Sequence, residues 1–425
     1  MQKAKKILIF LIIAICISLN VNAVDIEDEY EELDYVWLHE EIENAKKDEK
    51  PKINSRYCVV FDRTSKAVIL GKDEEKEVPM ASTTKIMTAI VMLENVESLN
   101  EQIEVCKQAA SIGGSRLGLK TGDKITYNDL LYGLMLCSGN DAAVQIAVSV
   151  SGSIEEFAKL MNQKAKDLGL VHSHFIVPHG LDNVGHYTTA KELATITDYA
   201  LNIKKFQDVV STKTYTITIN GHSKTINNTN ELLGYLNGVN GVKTGFTNGA
   251  GRCLVTSVLR DNFNIITVVL GADTKKIRTK DSIKLIEYTY KNYELVNLEE
   301  IVNREFEDWE KINKKRIRIN KGIFEAPELM LDKLKFTKYP VLKEQKDNIY
   351  VDIDAIFKIE APVEEKTKIG KAKIFLNSTE IASVDILIKE KIERKNYIDY
   401  FRELLQLYKL LFSGKKMVTK SSLLN

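Results

Sequence analysis

Apolar residues follow two different periods along the chain, and this divides it into a mixed segment and a later strand-rich segment. Residues 56–61 and 67–70 are apolar runs on either side of a polar turn, a pattern that predicts a β-hairpin. Residues 82 to about 203 have helical and loop-rich sequence, and a helix is predicted at about 279–290. Further strand-like runs lie at residues 215–219, around residue 243 and at residues 264–270. Strands at both ends with helices between them predict an α/β (α+β) fold in which helices pack on an antiparallel sheet.

From about residue 296 the apolar residues alternate with polar ones at period two. The alternating runs are residues 316–319, 349–357 and 372–376. Period two is typical of strands with one buried face, so a small all-β domain is predicted to follow the mixed one. This second domain contains no catalytic motif, and we interpret it as a spacer or docking module.

The C-terminal tail has apolar residues at helical spacing. They are Ile398, Phe401, Leu404, Leu405, Tyr408, Leu411 and Phe412. Asp399, Arg402 and Lys409 fall on the opposite face, which prevents the helix from spanning a bilayer but suits a position at its surface. Lys415 and Lys416 follow at once. The tail is therefore predicted to be an amphipathic, membrane-associating helix, and packing of the same helix on the β-domain is the alternative.

The N-terminus has the pattern of a secretory signal peptide. Lysines precede the apolar run of residues 7–15, and small residues follow at 21–23, where a signal peptidase cleaves. An uncleaved anchor is the alternative, and Cys16 lies inside the apolar run, which argues against a lipoprotein. We therefore expect export to the extracytoplasmic face of the membrane or the cell wall. Residues 24–50 are an acidic leader with a short helix predicted at 35–45.

These patterns divide the chain into five parts. They are a signal peptide (1–23), an acidic leader (24–50), a mixed domain that holds the candidate catalytic residues described below (51–295), a β-rich domain (296–392) and the tail (393–425).

Composition excludes several functional classes. The 425-residue chain has a net charge of +1, which gives no electrostatic basis for nucleic-acid binding. Cleavage would leave four scattered cysteines without C-x-x-C spacing, so neither zinc binding nor a disulfide framework is indicated. Four of the six histidines lie between residues 172 and 186 but lack a metal-ligand spacing. No metal and no cofactor are expected.

Ser82 and Lys85 are the first candidate catalytic residues. They lie at positions i and i+3, so they share one face of the helix predicted from the apolar run 86–93. Ser82 would sit at the helix N-terminus, where free backbone N–H groups favour developing negative charge. Burial of a lysine favours its neutral form, which a general base requires. On its own the pair is also compatible with an ordinary helix N-cap followed by a surface lysine.

Two further motifs follow in order. Ser138 and Asn140 present a hydroxyl and a carboxamide at a corner between two helical segments, and residues 243–245 read Lys-Thr-Gly beside a strand-like run. S-x-x-K, S-D-N and K-T-G are the motif set of class A β-lactamases and penicillin-binding proteins, and here the middle motif is Ser-Gly-Asn. A second Lys-Thr-Gly at residues 120–122 runs into Asp123, which is typical of a polar turn, so Lys243 is taken as the site residue. Cys137 beside Ser138 has apolar neighbours and is interpreted as structural.

At these motifs the chain resembles the serine-type D-alanyl-D-alanine carboxypeptidases, the low-molecular-mass penicillin-binding proteins. The resemblance covers roughly residues 51–390, and Met80 stands between Pro79 and Ala81, where many relatives read Pro-Ala-Ser. The segments that carry it are residues 79–89, 113–119, 138–143, 178–182 and 185–190. The resemblance implies a β-lactamase/transpeptidase-like catalytic domain that acts on peptidoglycan stem peptides and is acylated by β-lactam antibiotics.

The resemblance also implies roles for individual residues. Ser82 would attack the carbonyl between two terminal D-alanines, Lys85 would be the base, and Ser138 would relay a proton to the leaving amine. The implied substrate-binding residues are Asn140, Lys243, Thr244, Gly245, Phe246 and Arg278. The backbone N–H groups of Ser82 and Phe246 would form the oxyanion hole.

Two other functions remain open at this point. A class A β-lactamase shares the three motifs but uses a glutamate to activate the deacylating water, and residues 141–242 contain no Glu-x-x-x-Asn. A non-catalytic wall-binding scaffold is the other alternative. The intact motif residues argue against it, because a catalytically dead relative usually loses one of them.

Overall fold

The computed structural model describes residues 35–47, 50–324 and 326–413. The chain forms two compact units, which divide between residues 294 and 295. The predicted signal peptide, most of the acidic part of the leader and the basic residues after 413 lie outside the described residues. The described part of the leader contains the helix α1 (Tyr35–Ala45), as the sequence predicted.

The first unit combines a sheet with helices. Its strands are β1 (Tyr57–Asp62), β2 (Val68–Lys72), β3 (Gln102–Glu104), β4 (Lys124–Thr126), β5 (Thr214–Ile219), β6 (His222–Asn227), β7 (Val239–Thr247), β8 (Gly251–Arg260) and β9 (Phe263–Ala272). After α1, its helices are α2 (Lys85–Asn95), α3 (Lys107–Ser111), α4 (Tyr127–Met135), α5 (Asn140–Ser151), α6 (Ile154–Asp167), α7 (Ala190–Ala200), α8 (Lys204–Val210) and α9 (Lys275–Asn292).

The central sheet has five antiparallel strands in the order β2-β1-β9-β8-β7. The hairpin predicted at the start of the domain therefore joins strands from its end, which confirms the predicted sheet. Strands β8 and β9 are buried along nearly their whole length, because helices cover the sheet on both faces. The helix α9 packs on β8 and β9, and α7 packs on β9 and β1.

The helix α2 is the centre of the helical region between β2 and β5. Its first eight residues are all buried, and it contacts α4, α5, α6 and α7. A helix that is apolar on every side is stable only when other elements surround it, and the apolar run 86–93 meets that condition. The same burial encloses Lys85, which begins the helix.

The second unit is built from strands and two helices. Its elements are β10 (Tyr293–Asn297), α10 (Leu298–Asn313), β11 (Arg318–Asn320), β12 (Leu329–Leu331), β13 (Lys338–Leu342), β14 (Ile349–Ala355), β15 (Lys358–Glu360), β16 (Lys368–Leu376), β17 (Thr379–Ile388) and α11 (Tyr397–Phe412). Four strands form a sheet in the order β12-β17-β16-β14, and side chains of β14 alternate in burial as the period-two pattern predicted. The helix α10 was not predicted, although Leu298, Val302 and Phe306 are buried at the i, i+4, i+8 spacing of one helix face.

The tail forms a helix, α11, within the predicted amphipathic segment. The apolar side chains that the structure describes in this helix are exposed, and Leu404 and Tyr408 remain 61% and 60% accessible. Among the described residues, no helix is both long and apolar enough to cross a membrane.

Candidate active site

Ser82 lies in a single 3₁₀ turn, Ala81–Thr84, that leads directly into α2. Two threonines fix the backbone of this turn. The hydroxyl of Thr83 donates to Met80 O at 2.5 Å, and that of Thr84 donates to Ala81 O at 2.8 Å. Ser82 itself is half-buried, so its hydroxyl is held at the surface of a rigid turn.

Lys85 is completely buried, and its amine lies within hydrogen-bond distance of oxygen atoms from three separate segments. Nζ lies 2.7 Å from Ser82 Oγ, 2.7 Å from Asn140 Oδ1 and 2.8 Å from the carbonyl oxygen of His179. The last two atoms only accept hydrogen bonds, whereas a serine hydroxyl also donates. A neutral amine would thus donate to Asn140 and His179 and accept the hydroxyl proton of Ser82.

Ser138 and Asn140 lie at the corner between α4 and α5, where the sequence placed them. Ser138 has a backbone φ of +62°, a left-handed conformation that is costly for a residue with a side chain. Its Oγ is buried and has no hydrogen-bond partner among the described residues. A strained backbone that holds a buried, unpartnered hydroxyl beside Asn140 is suited to bond a bound substrate.

Both polar atoms of the Asn140 side chain are engaged within the protein. Oδ1 accepts from Lys85, and Nδ2 donates to Gly113 O at 2.8 Å. The backbone N–H of Asn140 also donates to Ser115 O at 2.7 Å. In this structure Asn140 therefore positions the lysine, and its predicted contact with a substrate amide stays a prediction.

Asp141 fixes the loop that holds Asn140. Its buried carboxylate accepts the N–H groups of Leu117, Gly118 and Leu119 at 2.8–3.0 Å. The spacing of the Ser-Gly-Asn motif alone did not indicate this role for the neighbouring residue.

The strand β7 brings the Lys-Thr-Gly motif to the Ser82 turn. Lys243 and Thr244 are almost fully buried, and Lys243 Nζ donates to Thr244 O at 2.9 Å. The hydroxyls of Thr244 and Thr229 lie 2.6 Å apart. A Cβ atom on Gly245 would lie only 3.0 Å from Ser82 N, so glycine allows β7 to approach the turn.

Phe246 follows Gly245 and pairs across the strands with Arg252 in β8. The guanidinium of Arg252 stacks on the Phe246 ring at 3.8 Å from its centroid. The aromatic side chain is thus occupied by a cation–π contact. This leaves the predicted role of Phe246 to its backbone N–H group, which stays a prediction.

Arg278 lies in the first turn of α9 and is 2% exposed. Its Nη2 and the hydroxyl of Thr279 both donate to Glu231 Oε1, in a buried ion pair. Although burial opposes ionisation of Glu231, the Arg278 guanidinium holds the pKa of that carboxyl below its ordinary value. The predicted substrate-binding role of Arg278 therefore has to operate beside a resident carboxylate, which the sequence did not reveal.

The loop between α6 and α7 closes the other side of the Ser82 turn. Gly180 has a φ of +85°, and a Cβ atom there would lie 2.0 Å from Ala81 O. The His186 ring bonds Thr84 Oγ1 at 2.8 Å and accepts from Ile176 N. Burial lowers the pKa of His179 to about 3 and that of His186 to about 4, so both rings are neutral near pH 7. His186 supports the turn through its bond to Thr84, and His179 holds Lys85 through its carbonyl oxygen.

The second Lys-Thr-Gly lies where the sequence indicated. Lys120 is exposed, and residues 121–122 form a turn with Gly122 at a φ of +88°. The described cysteines Cys58, Cys106, Cys137 and Cys253 form no disulfide with one another. The described residues contain no group of three His, Cys, Asp or Glu side chains that could hold a metal ion.

Sequence reasoning missed the residues that hold the motif side chains. The carbonyl of His179, the hydroxyl of Thr229 and the carboxylates of Asp141 and Glu231 act through contacts between distant segments. Residues 178–182 carry part of the resemblance, and this was the signal that could have pointed to His179. No local pattern marked Glu231.

Comparisons with known proteins agree with this geometry. Residues 44–274 match a family model described as D-alanyl-D-alanine carboxypeptidase, and residues 334–394 match the C-terminal domain of penicillin-binding protein 5. The chain is 30% identical to D-alanyl-D-alanine carboxypeptidase DacF of Bacillus subtilis, over 82% of this chain and 88% of that protein. It is 36% identical to DacC of Escherichia coli, over 58% of this chain and 64% of that protein.

Solved structures of a penicillin-binding protein and a DD-transpeptidase are also similar to this chain. Penicillin-binding protein 5 from Haemophilus influenzae superposes with a TM-score of 0.67 and 25% identity, over 81% of this chain and 99% of that chain. The Streptomyces K15 DD-transpeptidase superposes with a TM-score of 0.54 and 32% identity, over 56% of this chain and 98% of that chain.

Proposed function

Because the chain belongs to the family of serine-type D-alanyl-D-alanine carboxypeptidases, we propose that Ser82 is its nucleophile and attacks the last peptide bond of peptidoglycan stem peptides. The observation that carries this assignment is the 2.7 Å contact between Lys85 Nζ and Ser82 Oγ. Ser82 forms an acyl-enzyme, the terminal D-alanine leaves, and water hydrolyses the ester.

Lys85 acts as the general base. The amine must be neutral for this step, and the two carbonyl-type oxygens of Asn140 and His179 accept both N–H groups of such an amine. Its lone pair then points to the Ser82 hydroxyl. Complete burial supports the proposal, because removal from water favours the neutral form of a lysine.

Proton transfer to the departing D-alanine is assigned to Ser138. The leaving amine needs a proton as the tetrahedral intermediate collapses, and Ser138 Oγ is a buried hydroxyl with no partner among the residues described. A hydroxyl that both donates and accepts can pass on the proton that Lys85 took from Ser82.

The Lys-Thr-Gly strand recognises the terminal carboxylate and the oxyanion. Lys243 supplies positive charge and Thr244 a hydroxyl donor, which together suit a carboxylate. The backbone N–H groups of Ser82 and Phe246 are assigned to the oxyanion. The close packing of Gly245 on Ser82 supports this, because it brings Phe246 next to the nucleophile turn.

Replacement of the nucleophile tests the proposal. Ser82→Ala should abolish labelling by a fluorescent penicillin and release of D-alanine from a D-Ala-D-Ala peptide, while the circular dichroism spectrum is retained. Ser211→Ala is the matched control, since this residue is exposed and its hydroxyl donates to Asp208 O in α8, away from the motif residues. A Ser82→Ala protein that kept most of its turnover would show that the nucleophile lies elsewhere.

The label should also be released slowly. Two glutamate carboxylates between Asn140 and Lys243 are already engaged, the half-buried Glu192 by the N–H groups of residues 171–172 and the buried Glu231 by Arg278. Residues 141–242 also contain no Glu-x-x-x-Asn, so the sequence offers no counterpart of the glutamate that activates water in class A β-lactamases. Rapid recovery of activity after penicillin treatment would favour a β-lactamase.

Attachment to a membrane surface is proposed for the tail. The described apolar side chains of α11 are exposed to water, and burying them at a lipid boundary is favourable by about 25 cal/mol per Å² of apolar area. Together with the signal-peptide pattern of residues 1–23, this supports action on the extracytoplasmic side of the membrane.

A further inference from the structure

One short segment connects three parts of the proposed active site. Residues 228–232, here called the bridging segment, lie in the turn-rich connection between β6 and β7. The N–H of Thr229 donates to Leu136 O, two residues before Ser138, and the hydroxyl of Thr229 bonds Thr244. Two residues later, Glu231 accepts from Arg278. The segment therefore joins the Ser138 corner, the β7 strand and the helix α9.

The bridging segment is itself rigid. Asn230 N donates to Asn228 Oδ1 at 3.0 Å, and Leu232 N donates to Asn230 Oδ1 at 3.2 Å. Two successive turns of this kind fix the backbone on both sides of Glu231. The backbone that carries the Glu231 carboxylate is thus held in a defined conformation, two residues after Thr229.

The ion pair of Glu231 and Arg278 leaves hydrogen-bonding capacity unused. Arg278 Nε and Glu231 Oε2 are buried and have no partner among the described residues. A guanidinium has five N–H donors, and the hydrogen bond to Glu231 comes from Arg278 Nη2. A second carboxylate could therefore bind Arg278 while Glu231 stays in place.

We propose that Glu231 is a specificity-determining residue that limits how strongly the site binds the terminal carboxylate of its substrate. This rests on the proposed function, in which Lys243, Thr244 and Arg278 recognise that carboxylate. With Glu231 present, the charges of Lys243, Arg278 and Glu231 sum to +1, and a bound carboxylate shares Arg278 with a resident anion. Without it, the substrate carboxylate is the anion that compensates Arg278.

The structure offers a matched control for this charge. Glu287, which lies in the same helix α9 as Arg278, forms a largely buried ion pair with Arg260 at 2.6 Å. It resembles the Glu231 pair in chemistry and burial. Arg260 lies at the end of β8 and also donates to Asn237 O, so this second pair involves no residue assigned to substrate.

The test compares Glu231→Gln with Glu287→Gln on two peptides that differ only in a free or amidated terminal D-alanine carboxyl group. In Glu231→Gln the ratio of kcat/KM for the free acid to that for the amide should rise about tenfold, mostly through KM, on the scale of coupling between neighbouring buried charges. In Glu287→Gln the ratio should match that of the parent. An unchanged ratio in Glu231→Gln would overturn the proposal.

A second variant covers the case in which Glu231→Gln does not fold, because a buried arginine without its carboxylate is destabilising. The double variant Glu231→Gln, Arg278→Gln carries no unpaired charge, and its preference for the free acid should fall several-fold below that of the parent. A preference equal to the parent's would mean that the pair does not act on the substrate. Absence of D-alanine release by the parent protein would refute the proposed function instead.

Discussion

Replacement of Gly245 by alanine should slow acylation without unfolding the protein. The glycine packs β7 against the Ser82 turn, and an added Cβ atom would lie 3.0 Å from Ser82 N, 3.1 Å from Ala81 Cβ and 3.2 Å from Thr83 N. Two of these three atoms are backbone atoms, which no side-chain rotation can move away. The strand and the turn must therefore separate.

The size of that separation sets the expected effect. Ordinary contacts begin at about 3.4 Å, so a contact at 3.0 Å requires a movement of about 0.4 Å. A displacement of 1 Å at a catalytic group costs roughly 100-fold in rate, so about half of that distance should cost roughly tenfold. Overpacking of this kind costs about 1–3 kcal/mol, which lowers the Tm of a domain of this size by about 2–10 °C.

Two measurements are needed, the second-order rate of acylation by a fluorescent penicillin and the Tm from thermal unfolding. Gly113→Ala is the control, because its added Cβ would meet nothing within 4 Å although the Gly113 carbonyl holds Asn140 in the same site. Gly113→Ala should keep the parent acylation rate and the parent Tm. If Gly245→Ala were acylated at the parent rate, close packing of β7 on Ser82 would not matter for the chemistry.

The other predictions concern the base, the two Lys-Thr-Gly sequences and the tail. Lys85→Arg should slow acylation by about 10²–10⁴-fold, because arginine does not lose its proton in a protein, and a near-parent rate would reduce Lys85 to a positioning charge. Lys243→Ala should weaken the preference for a free terminal carboxylate, whereas replacement of the exposed Lys120 by alanine should leave kcat and KM unchanged. Equal losses of activity in the two variants would refute the assignment of Lys243. Truncation after Lys395 removes α11 but keeps the hydrogen bond from Lys395 N to Lys321 O. The truncated mature protein should move from the membrane fraction to the soluble fraction. Its hydrolysis of a small peptide should be unchanged. A truncated protein that stays with membranes would identify residues 7–15 as the anchor.

The sequence by itself determined the parts of the site that depend on local geometry. Ser82 and Lys85 are one turn apart, so any helix over this run brings them together, and the structure places them 2.7 Å apart. The two Lys-Thr-Gly sequences could also be distinguished from residues close in sequence. Lys120 is followed by residues typical of a turn, whereas Lys243 lies beside a strand-like run. The hairpin, the helix α1 and the period-two strands of the second unit were also predicted, because each forms from a pattern of residues that are close in sequence. The helix α10 was missed although its apolar spacing was readable.

Only the tertiary structure decided which groups surround these residues. Lys85 meets Asn140 across 55 positions and His179 across 94, and Glu231 meets Arg278 across 47. Such contacts depend on how the strand order β2-β1-β9-β8-β7 and the loops fold back on each other, and no local spacing encodes that. The carboxylate beside Arg278 shows the consequence most clearly. Sequence resemblance assigned this arginine to the substrate, whereas the fold pairs it with Glu231, because a charge buried away from water requires a counter-ion that only tertiary packing can bring to it.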